Sequence, residues 1–383
     1  MKIVFVSNHY NHHQSELSKA FYELTDGNYT FIQTSTMSEE RIRLGWGVSL
    51  PSWVKLSYES DNSYRECIEL INTADVVIFG GAPEKIILPR IKANKLTFKY
   101  SERIFKKRDF DIPRLLKYAS KNFPYRNKNL YYLFSSAYAA HDYSCCGVKK
   151  EKMFCWGYFP ETKIYDNINS LVQSKIPHSI LWVGRLIDWK HPEVAIQIAK
   201  KLREDGYSFS INIIGTGVLE DQLKELIVSE KLSECVTLLG SMSPEEVRRQ
   251  MEKSEVFLFT SDRNEGWGAV LNEAMNSGCA VIASHAIGAA PFLIKNGQTG
   301  FLYKSGDVDD LYEKLKPLMD NCALRVELSK NAYHTLEKEW NAYNAAQRFI
   351  ELSSSLIEKS HFYVDGISPC GKAPLIKDSW IVR

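Results

Sequence analysis

Apolar and polar positions alternate along the chain in a pattern that predicts strands and helices in turn. Five short apolar runs in the first part of the chain have the length and composition of buried strands: residues 2–7, 30–33, 75–79, 97–100 and 130–134. Between the first two runs, residues 15–24 carry apolar or small side chains at helical spacing. Alternation of strands with helices favours a parallel sheet.

The pattern is interrupted at residues 161–177, which are polar and show no clear periodicity, and we predict the domain linker there. A second series of strands follows: residues 178–183, 209–214, 236–239, 256–259 and 280–283. Helical patterns separate these strands: residues 192–202, 220–228, 244–253 and a helix that contains Glu273. The second series predicts a doubly wound α/β domain more clearly than the first does.

A chain of 383 residues is too long for one ordinary core and suits two domains with a cleft. We predict two Rossmann-like doubly wound domains: an N-terminal acceptor-binding domain over residues 1–165 and a second, nucleotide-binding domain over residues 178–340. Residues 341–359 predict a long helix. We assign residues 341–383 to the first domain.

Composition indicates an ordinary globular protein, with 44% apolar and 25% charged residues. The first apolar run is shorter than the core of a signal peptide, and no window approaches a membrane span, so we expect a cytoplasmic protein. The eight cysteines form no C-x-x-C pair, which indicates reduced thiols.

The net charge is small, at +2, but residues 85–128 form a basic stretch. This stretch contains fourteen Lys or Arg residues and only three acidic residues, Glu102, Asp109 and Asp111. Aromatic residues interleave with the cations, a combination that suits an anionic membrane surface or a phosphorylated lipid acceptor. The alternative is a solvated basic face whose aromatics lie in the core. We do not expect a nucleic-acid partner, because no recognised nucleic-acid module accompanies the charge.

The strongest chemical signal follows the strand at 256–259, where Glu265-Gly266-Trp267-Gly268 precedes a helix that carries Glu273. The two glycines let a ligand approach the backbone, and a helix opening at about Gly268 offers free N–H groups to a diphosphate. Glu273 is suited to accept hydrogen bonds from vicinal hydroxyls. The alternative is that both glutamates are solvated residues at a helix start.

Two further segments follow strands of the same predicted domain. Gly184 and Arg185 end the strand at 178–183, and Lys190 stands a few residues later, so both cations are placed to neutralise a diphosphate. Gly215, in Ile-Gly-Thr-Gly, adds a glycine turn that is too short to be a dinucleotide motif.

The segment from about residue 178 to 310 resembles the second domain of group 1 (family 4) retaining glycosyltransferases. The motifs that carry the resemblance are, in order, V-G-R…K, I-G-x-G, L-G-x-M, S-x3-E-G-x-G-x4-E-A-M and G-x-A-V-I-A. The resemblance implies the GT-B fold, in which a C-terminal helix crosses back to the first domain. It implies that Arg185 and Lys190 bind the donor diphosphate. Glu265 would bind the transferred sugar and Glu273 the ribose. The donor-binding residues that it implies are Gly184, Gly215, Ser241, Gly266, Trp267, Gly268, Ala269, Val270 and Glu273.

The first domain departs from the family pattern. Residues 8–14 stand where many members have a Gly-Gly loop, and Gly80-Gly81 follow a strand where many carry a histidine. His12 and His13 follow the carboxyl end of the first strand, and we predict that His13 orients the acceptor hydroxyl or the donor sugar. The alternative is a pair of surface histidines.

These features predict a retaining glycosyltransferase that moves a sugar from a UDP- or GDP-sugar to a hydroxyl of a glycan or lipid-linked acceptor, in cell-surface polysaccharide synthesis. We expect no cofactor and no essential metal, because the resemblance assigns charge neutralisation to Arg185, Lys190 and a helix terminus. Peripheral attachment at the inner face of the cell membrane is a further expectation. The alternatives are a sugar-nucleotide epimerase or phosphorylase on this scaffold and a non-catalytic nucleotide-sugar-binding protein.

Overall fold

A computed structural model describes residues 1–39, 47–106 and 111–382. The chain forms two compact units. The first unit comprises Met1–Glu161 and Glu339–Lys377, and the second comprises Thr162–Lys338 and the residues from Asp378 onward. The second unit therefore begins earlier than residue 178, and the last residues of the chain belong to it rather than to the first unit.

The first unit contains a parallel sheet of seven strands in the order β3-β2-β1-β4-β5-β6-β7. Its strands are β1 (Ile3–Ser7), β2 (Tyr29–Gln33), β3 (Val54–Leu56), β4 (Val76–Phe79), β5 (Thr97–Ser101), β6 (Leu130–Phe134) and β7 (Met153–Cys155). β1 and β4 are buried along their whole length, which explains their continuous apolar runs. β3 and β7 are three residues long and were not predicted, because so short a strand shows no periodicity.

Helices of the first unit include α1 (His12–Leu24), α2 (Asp61–Thr73), α3 (Leu88–Lys92), α4 (Ile112–Asn122), α5 (Ala139–Cys145) and the C-terminal helix (Ala342–Glu358). The C-terminal helix packs against α1, where the Phe349 ring lies 5.4 Å from the Phe21 ring. Phe349 also contacts Phe98 at 4.8 Å and Trp156 at 5.9 Å between ring centroids. This helix therefore completes the core of the first unit, as predicted.

Beyond the C-terminal helix, the chain pairs with the edge strand β7. The Cys370 N–H donates to the Cys155 carbonyl at 2.9 Å, and the Cys155 N–H donates to the Gly371 carbonyl at 2.8 Å. Lys372 forms an antiparallel bridge with Phe154. The tail thus covers backbone groups that an edge strand would otherwise expose.

The second unit contains a parallel sheet of six strands in the order β10-β9-β8-β11-β12-β13. Its strands are β8 (Ile176–Val183), β9 (Ser210–Ile214), β10 (Val236–Gly240), β11 (Ser254–Phe259), β12 (Ala280–Ser284) and β13 (Phe301–Tyr303). Its helices include α6 (Ile168–Gln173), α7 (Glu193–Glu204), α8 (Glu220–Ser229), α9 (Pro244–Lys253), α10 (Val270–Asn276), α11 (Ala290–Leu293), α12 (Val308–Asp320) and α13 (Cys322–Lys338). The predicted fold class, two Rossmann-like doubly wound domains, is confirmed.

Part of the segment predicted as a linker is structured. α6 begins after Asn167, whose side chain accepts a hydrogen bond from the Ser170 N–H at 3.1 Å. Ile168 and Val172 are buried against Tyr333. The six residues of this helix are too few to show helical periodicity in the sequence. The linker prediction for residues 161–177 was therefore wrong beyond its first residues.

Short 3₁₀ turns connect several of these elements: Glu84–Ile86, Phe123–Tyr125, Lys150–Lys152, Asp188–Lys190 and Asp378–Val382. Across the described residues, every helix is too short or too polar to cross a membrane.

Candidate functional site

The loops that follow β8 and β11 carry the predicted site residues of the second unit. β8 and β11 are adjacent parallel strands, so their carboxyl ends lie at the same edge of the sheet. Lys190 comes from the first loop and Glu265 from the second, and their side chains form an ion pair. This edge is where open α/β sheets bind ligands.

The pair formed by Lys190 and Glu265 is mostly buried, with side chains 13% and 12% exposed. The Ser261 hydroxyl donates to Glu265 Oε2 at 3.0 Å. Lys190 Nζ lies 4.8 Å from the ring centroid of Trp189 and 5.6 Å from that of Phe259. Glu265 is therefore not a solvated residue at a helix start, and that alternative is wrong for Glu265.

Thr260 holds the two loops together. Its hydroxyl accepts a hydrogen bond from Trp182 Nε1 at 2.8 Å and lies 2.7 Å from the Lys190 carbonyl and 2.9 Å from the His191 carbonyl. Thr260 is buried. Thr260 directly follows β11, so it anchors the backbone that carries Lys190 to the end of this strand. This contact holds the Lys190 loop close to the loop that carries Glu265.

His191 is a site residue that the sequence did not indicate. Its backbone is left-handed, with φ of 52°, and its Nδ1 lies 2.9 Å from Glu193 Oε1 while Nε2 lies 3.7 Å from Asp262 Oδ2. Asp262 and Glu193 raise the pKa of His191 to about 9. The imidazole is therefore a second cation beside Lys190 at neutral pH.

Gly184 and Gly215 lie in close backbone contact. A Cβ on Gly215 would lie 1.8 Å from the Gly184 carbonyl oxygen, and the φ of Gly215 is +137°. The Gly184 N–H donates to the Ile214 carbonyl at 3.0 Å, and the Gly215 N–H donates to the Gly240 carbonyl at 2.8 Å. The loops after β8, β9 and β10 are thereby joined. Packing alone requires glycine at 215, and donor binding by Gly184 and Gly215 stays a prediction.

In the segment Gly266–Val270, the aromatic side chain of Trp267 is buried in the second unit. Trp267 is 1% exposed, and its Nε1 donates to Asn272 Oδ1 at 2.9 Å. A Cβ on Gly268 would lie 2.6 Å from the Phe259 ring. α10 begins at Val270, slightly later than predicted. Among the described residues, no backbone carbonyl accepts the N–H groups of Gly266, Gly268 and Ala269.

Glu273 lies in the first turn of α10, and its side chain is partly buried. Burial raises the pKa of this carboxyl to about 6, against the opposing influence of Arg248. In the described part of the chain, no donor lies within hydrogen-bond distance of its carboxylate. A partly buried carboxylate without an internal partner is suited to accept hydrogen bonds from ligand hydroxyls.

Arg185 and Ser241 are exposed. The Arg185 guanidinium lies 5.8 Å from the Trp189 ring, and no carboxylate among the described residues lies within salt-bridge distance of it. Ser241 follows β10, next to the loop of Gly215. Arg185 thus differs from Lys190, whose charge an internal carboxylate already balances.

His13 lies in the first unit, within the first turn of α1. Its N–H donates to the capping Asn11 Oδ1 at 3.0 Å, and its ring stacks on Tyr158 with centroids 5.8 Å apart. Burial, with the neighbouring His12, lowers the pKa of His13 to about 3. The imidazole is therefore neutral at physiological pH, and its predicted role in orienting a hydroxyl stays a prediction.

The two departures from the family pattern in the first unit lie next to each other. A Cβ on Gly80 would lie 3.0 Å from Ser7 Oγ, and one on Gly81 would lie 3.4 Å from Asn8 Oδ1. A side chain at 80 would crowd Ser7 at the end of β1, whereas a Cβ at 81 would make only an ordinary contact with Asn8. The described residues contain no group of three His, Cys, Asp or Glu side chains placed to hold a metal ion.

Comparison with known proteins matches residues 166–335 to the model of the family described as "Glycosyl transferases group 1". A similar protein is the amylovoran biosynthesis glycosyltransferase AmsK of Erwinia amylovora, 34% identical over 185 residues, which are 47% of this chain and 45% of AmsK. The sulfoquinovosyl transferase SQD2 of Arabidopsis thaliana is 30% identical over 181 residues, 46% of this chain and 34% of SQD2. The chain spans less than half the length of these relatives.

Solved structures share the fold over nearly the whole chain. HepE from Anabaena in complex with UDP has a TM-score of 0.68 at 16% identity and covers 93% of this chain and 100% of HepE. Sucrose-phosphate synthase from Thermosynechococcus elongatus has a TM-score of 0.66 at 15% identity and covers 94% and 100%. The GT-B fold class is thereby confirmed.

Proposed function

We propose that the chain transfers a sugar from a nucleotide-diphosphate sugar to an acceptor hydroxyl, because residues 166–335 match the family described as "Glycosyl transferases group 1". The observation that carries the proposal is the buried ion pair between Lys190 and Glu265 at the carboxyl ends of β8 and β11. The cations Arg185 and Lys190 and the carboxylates Glu265 and Glu273 are carried by the segments that follow β8 and β11. The N–H groups near Gly268, which no backbone carbonyl of the described residues accepts, belong to the same segments. This combination matches the charges and hydroxyls of a nucleotide sugar.

Each group has a defined task in the proposed donor complex. Arg185 and Lys190 bind the diphosphate, and the backbone of Gly266–Val270 donates to its oxygens. Glu265 accepts hydrogen bonds from the transferred sugar. Glu273 accepts them from the ribose, for which its partly buried carboxylate lacks an internal partner among the described residues. Gly184, Gly215 and Ser241 line the remainder of the proposed site.

The proposed reaction retains the configuration at the anomeric carbon. The acceptor oxygen bonds to that carbon on the face from which the diphosphate leaves, and the departing phosphate oxygen takes the hydroxyl proton. Negative charge grows on the diphosphate as the glycosidic bond breaks, so Arg185 and Lys190 act mainly by electrostatic stabilisation. We propose that these cations make an essential metal unnecessary.

The proposed donor carries UDP or GDP, and the proposed acceptor is a glycan or lipid-linked hydroxyl in cell-surface polysaccharide synthesis. A neighbouring structure contains UDP, and relatives are named for amylovoran and colanic acid biosynthesis. We assign acceptor binding to the first unit, with His13 as the proposed orienting residue. All eight cysteines are free thiols, which supports a cytoplasmic location. We also propose contact with an anionic membrane surface through the exposed cations of residues 85–128, of which 107–110 lie outside the described residues.

Incubation of the protein with a panel of UDP- and GDP-sugars, read by mass spectrometry, tests the proposal. We expect release of UDP or GDP from one donor, in the presence of EDTA, and loss of that release in Lys190→Ala. Recovery of an epimerised nucleotide sugar instead would identify the epimerase alternative. Donor binding with no release across an acceptor panel would identify a non-catalytic protein.

A further inference from the structure

The Glu265 loop, residues 260–265, is fixed by hydrogen bonds along its length. The Asp262 N–H donates to the Trp189 carbonyl at 2.9 Å, and the Asp262 carbonyl accepts the Glu265 N–H at 3.1 Å. The Asp262 side chain also accepts the Asn264 N–H at 2.7 Å. Arg263 lies between these contacts, and its side chain pairs with a residue from a distant part of the chain.

The partner of Arg263 is Asp378, the first residue of the 3₁₀ turn Asp378–Val382. Arg263 Nη2 lies 2.7 Å from Asp378 Oδ2, and both side chains are 23% exposed. At this distance the ion pair is also a charge-assisted hydrogen bond. The turn belongs to the second unit, as the Glu265 loop does. A residue that the motif pattern did not indicate therefore contacts the middle of this loop.

Asp378 also contacts His285, which directly follows β12. The Ser305 N–H donates to His285 Nδ1 at 3.0 Å, so Nε2 carries the ring hydrogen and donates to the Asp378 carbonyl, also at 3.0 Å. His285 is buried, and burial lowers its pKa, which favours this neutral form. β11 and β12 are adjacent parallel strands. Asp378 therefore joins the segments that follow both strands, through its side chain to one and through its backbone to the other.

We infer that Asp378 is a positioning residue for Glu265: by binding Arg263 and His285, it fixes the Glu265 loop in the conformation that presents the Glu265 carboxylate to the transferred sugar. The inference rests on the proposed function for the sugar contact. Arg263 stands two residues before Glu265, so a loop released from Asp378 no longer holds the carboxylate in one place. A displacement of about 1 Å at a group that acts in the transition state lowers the rate by up to about 100-fold.

The alternative is that the ion pair only secures the turn Asp378–Val382 and has no effect on the loop. The two accounts differ in what is lost when the pair is broken. A positioning role predicts a loss of kcat with no loss of affinity for the nucleotide, because the Glu265 loop contacts the sugar whereas Arg185 and Glu273 bind the nucleotide in the proposed complex. A role in the turn alone predicts no change in either.

Nucleotide release by Asp378→Ala, Arg263→Ala and the double variant tests the inference. Each single variant should lower kcat by about tenfold, and the double variant should lose no more than either single one, because both remove the same contact. Affinity for free UDP or GDP, measured by titration calorimetry, should stay unchanged. Asp378→Glu keeps the carboxylate and should retain most of the activity. The matched control is Lys200→Ala with Glu230→Ala, which removes an ion pair of 2.9 Å elsewhere in the second unit and should leave kcat unchanged.

Hydrogen exchange measured by mass spectrometry provides a readout that does not depend on activity. Backbone amides of residues 260–265 should exchange about tenfold faster in Asp378→Ala than in the wild-type protein, while those of β8 and β11 should not change.

Three results would overturn the inference: wild-type kcat and wild-type loop exchange in Asp378→Ala, an equal loss of kcat in the control variant, and a loss of nucleotide affinity that parallels the loss of kcat. A wild-type protein that releases no nucleotide from any donor would refute the proposed function. Faster exchange of the loop in Asp378→Ala would even then support the contact by which Asp378 fixes the loop.

Discussion

Lys190 and Glu265 form a mostly buried ion pair across the ends of two adjacent strands. Each charge is thereby balanced before any donor arrives. A diphosphate that binds Lys190 competes with Glu265 for the ammonium, which leaves the Glu265 oxygens available to sugar hydroxyls. The pair is thus both a structural contact and the proposed centre of donor binding, and stability and activity measurements can separate these two roles.

Lys190→Met and Glu265→Gln should each lower the free energy of unfolding by about 3 kcal/mol, because each leaves a buried charge without its partner. Each should also lower kcat about 100-fold or more, since the diphosphate or the sugar loses a contact formed in the transition state. Urea unfolding and nucleotide release measure the two effects.

The double variant Lys190→Met with Glu265→Gln provides the control. Removing both charges should restore most of the stability lost by either single variant but none of the activity. Near-normal nucleotide release in any of the three would contradict the assignment.

Arg185→Ala should weaken nucleotide-sugar binding about tenfold, because a charge-assisted contact to phosphate is lost. Arg185 is exposed and, among the described residues, unpaired with any carboxylate, so the free energy of unfolding should change by less than about 0.5 kcal/mol. Titration calorimetry measures the affinity, and Arg249→Ala, at an exposed arginine on α9, is the matched control. Equal affinities for the two variants would refute the role of Arg185.

The pH dependence of donor affinity should report on Glu273, whose pKa is about 6. The carboxylate accepts hydroxyl hydrogen bonds only when ionised, so the affinity for a nucleotide sugar should fall as pH decreases through about 6. Glu273→Gln should bind more weakly at neutral pH and should lack this dependence between pH 5 and 7. An unchanged pH profile in Glu273→Gln would contradict the ribose contact.

Glu273 should also lower stability at neutral pH. The native state holds the proton more tightly than the unfolded chain, whose carboxyl has a pKa near 4.5. The free energy of unfolding therefore falls as pH rises from 4.5 through about 6, and the full cost is present above that range. Glu273→Gln should consequently stabilise the protein at pH 8 by up to about 2 kcal/mol. A destabilised Glu273→Gln protein at that pH would refute this account.

Gly215→Ala should destabilise the second unit by more than about 4 kcal/mol, since the new Cβ would lie 1.8 Å from the Gly184 carbonyl oxygen. Gly206→Ala is a matched control, because Gly206 also has positive φ, at +79°, but no atom within 4 Å of its Cβ position. That control should cost about 1 to 2 kcal/mol. Thermal unfolding measures both, and similar losses would show that close backbone contact is not the reason for glycine at 215.

Much of the fold was predictable because the central strands are buried on both faces and appear as continuous apolar runs. β1, β4, β11 and β12 are of this kind. The short strands β3 and β13 lack enough residues to form a pattern.

In the site, the motif spacing identified Lys190 and Glu265 individually. Their pairing depends on strand order, which places residues distant in sequence together.

The side-chain environments of the site residues were not predictable. No sequence pattern indicates that Trp267 is a core residue or that the Thr260 hydroxyl holds the Lys190 loop, because both depend on neighbours that the fold brings together. His191 belongs to none of the motifs that the sequence shows. Its contacts with Glu193 and Asp262 depend on the folded loops of the second unit. The charge pattern of residues 85–128 likewise does not indicate that Arg90 is fully buried, because its carbonyl partners Ile71 and Ala74 come from another segment of the first unit.

The first unit is discontinuous in sequence, and its core includes Phe349 from the C-terminal helix. During translation, Met1–Glu161 emerges from the ribosome long before Phe349 does. Thr162–Lys338 emerges as one nearly complete unit in between. The order of folding during translation should therefore run against the order of synthesis: the second unit matures first, while Phe21 and Phe98 stay uncovered in the nascent chain until its last helix is made.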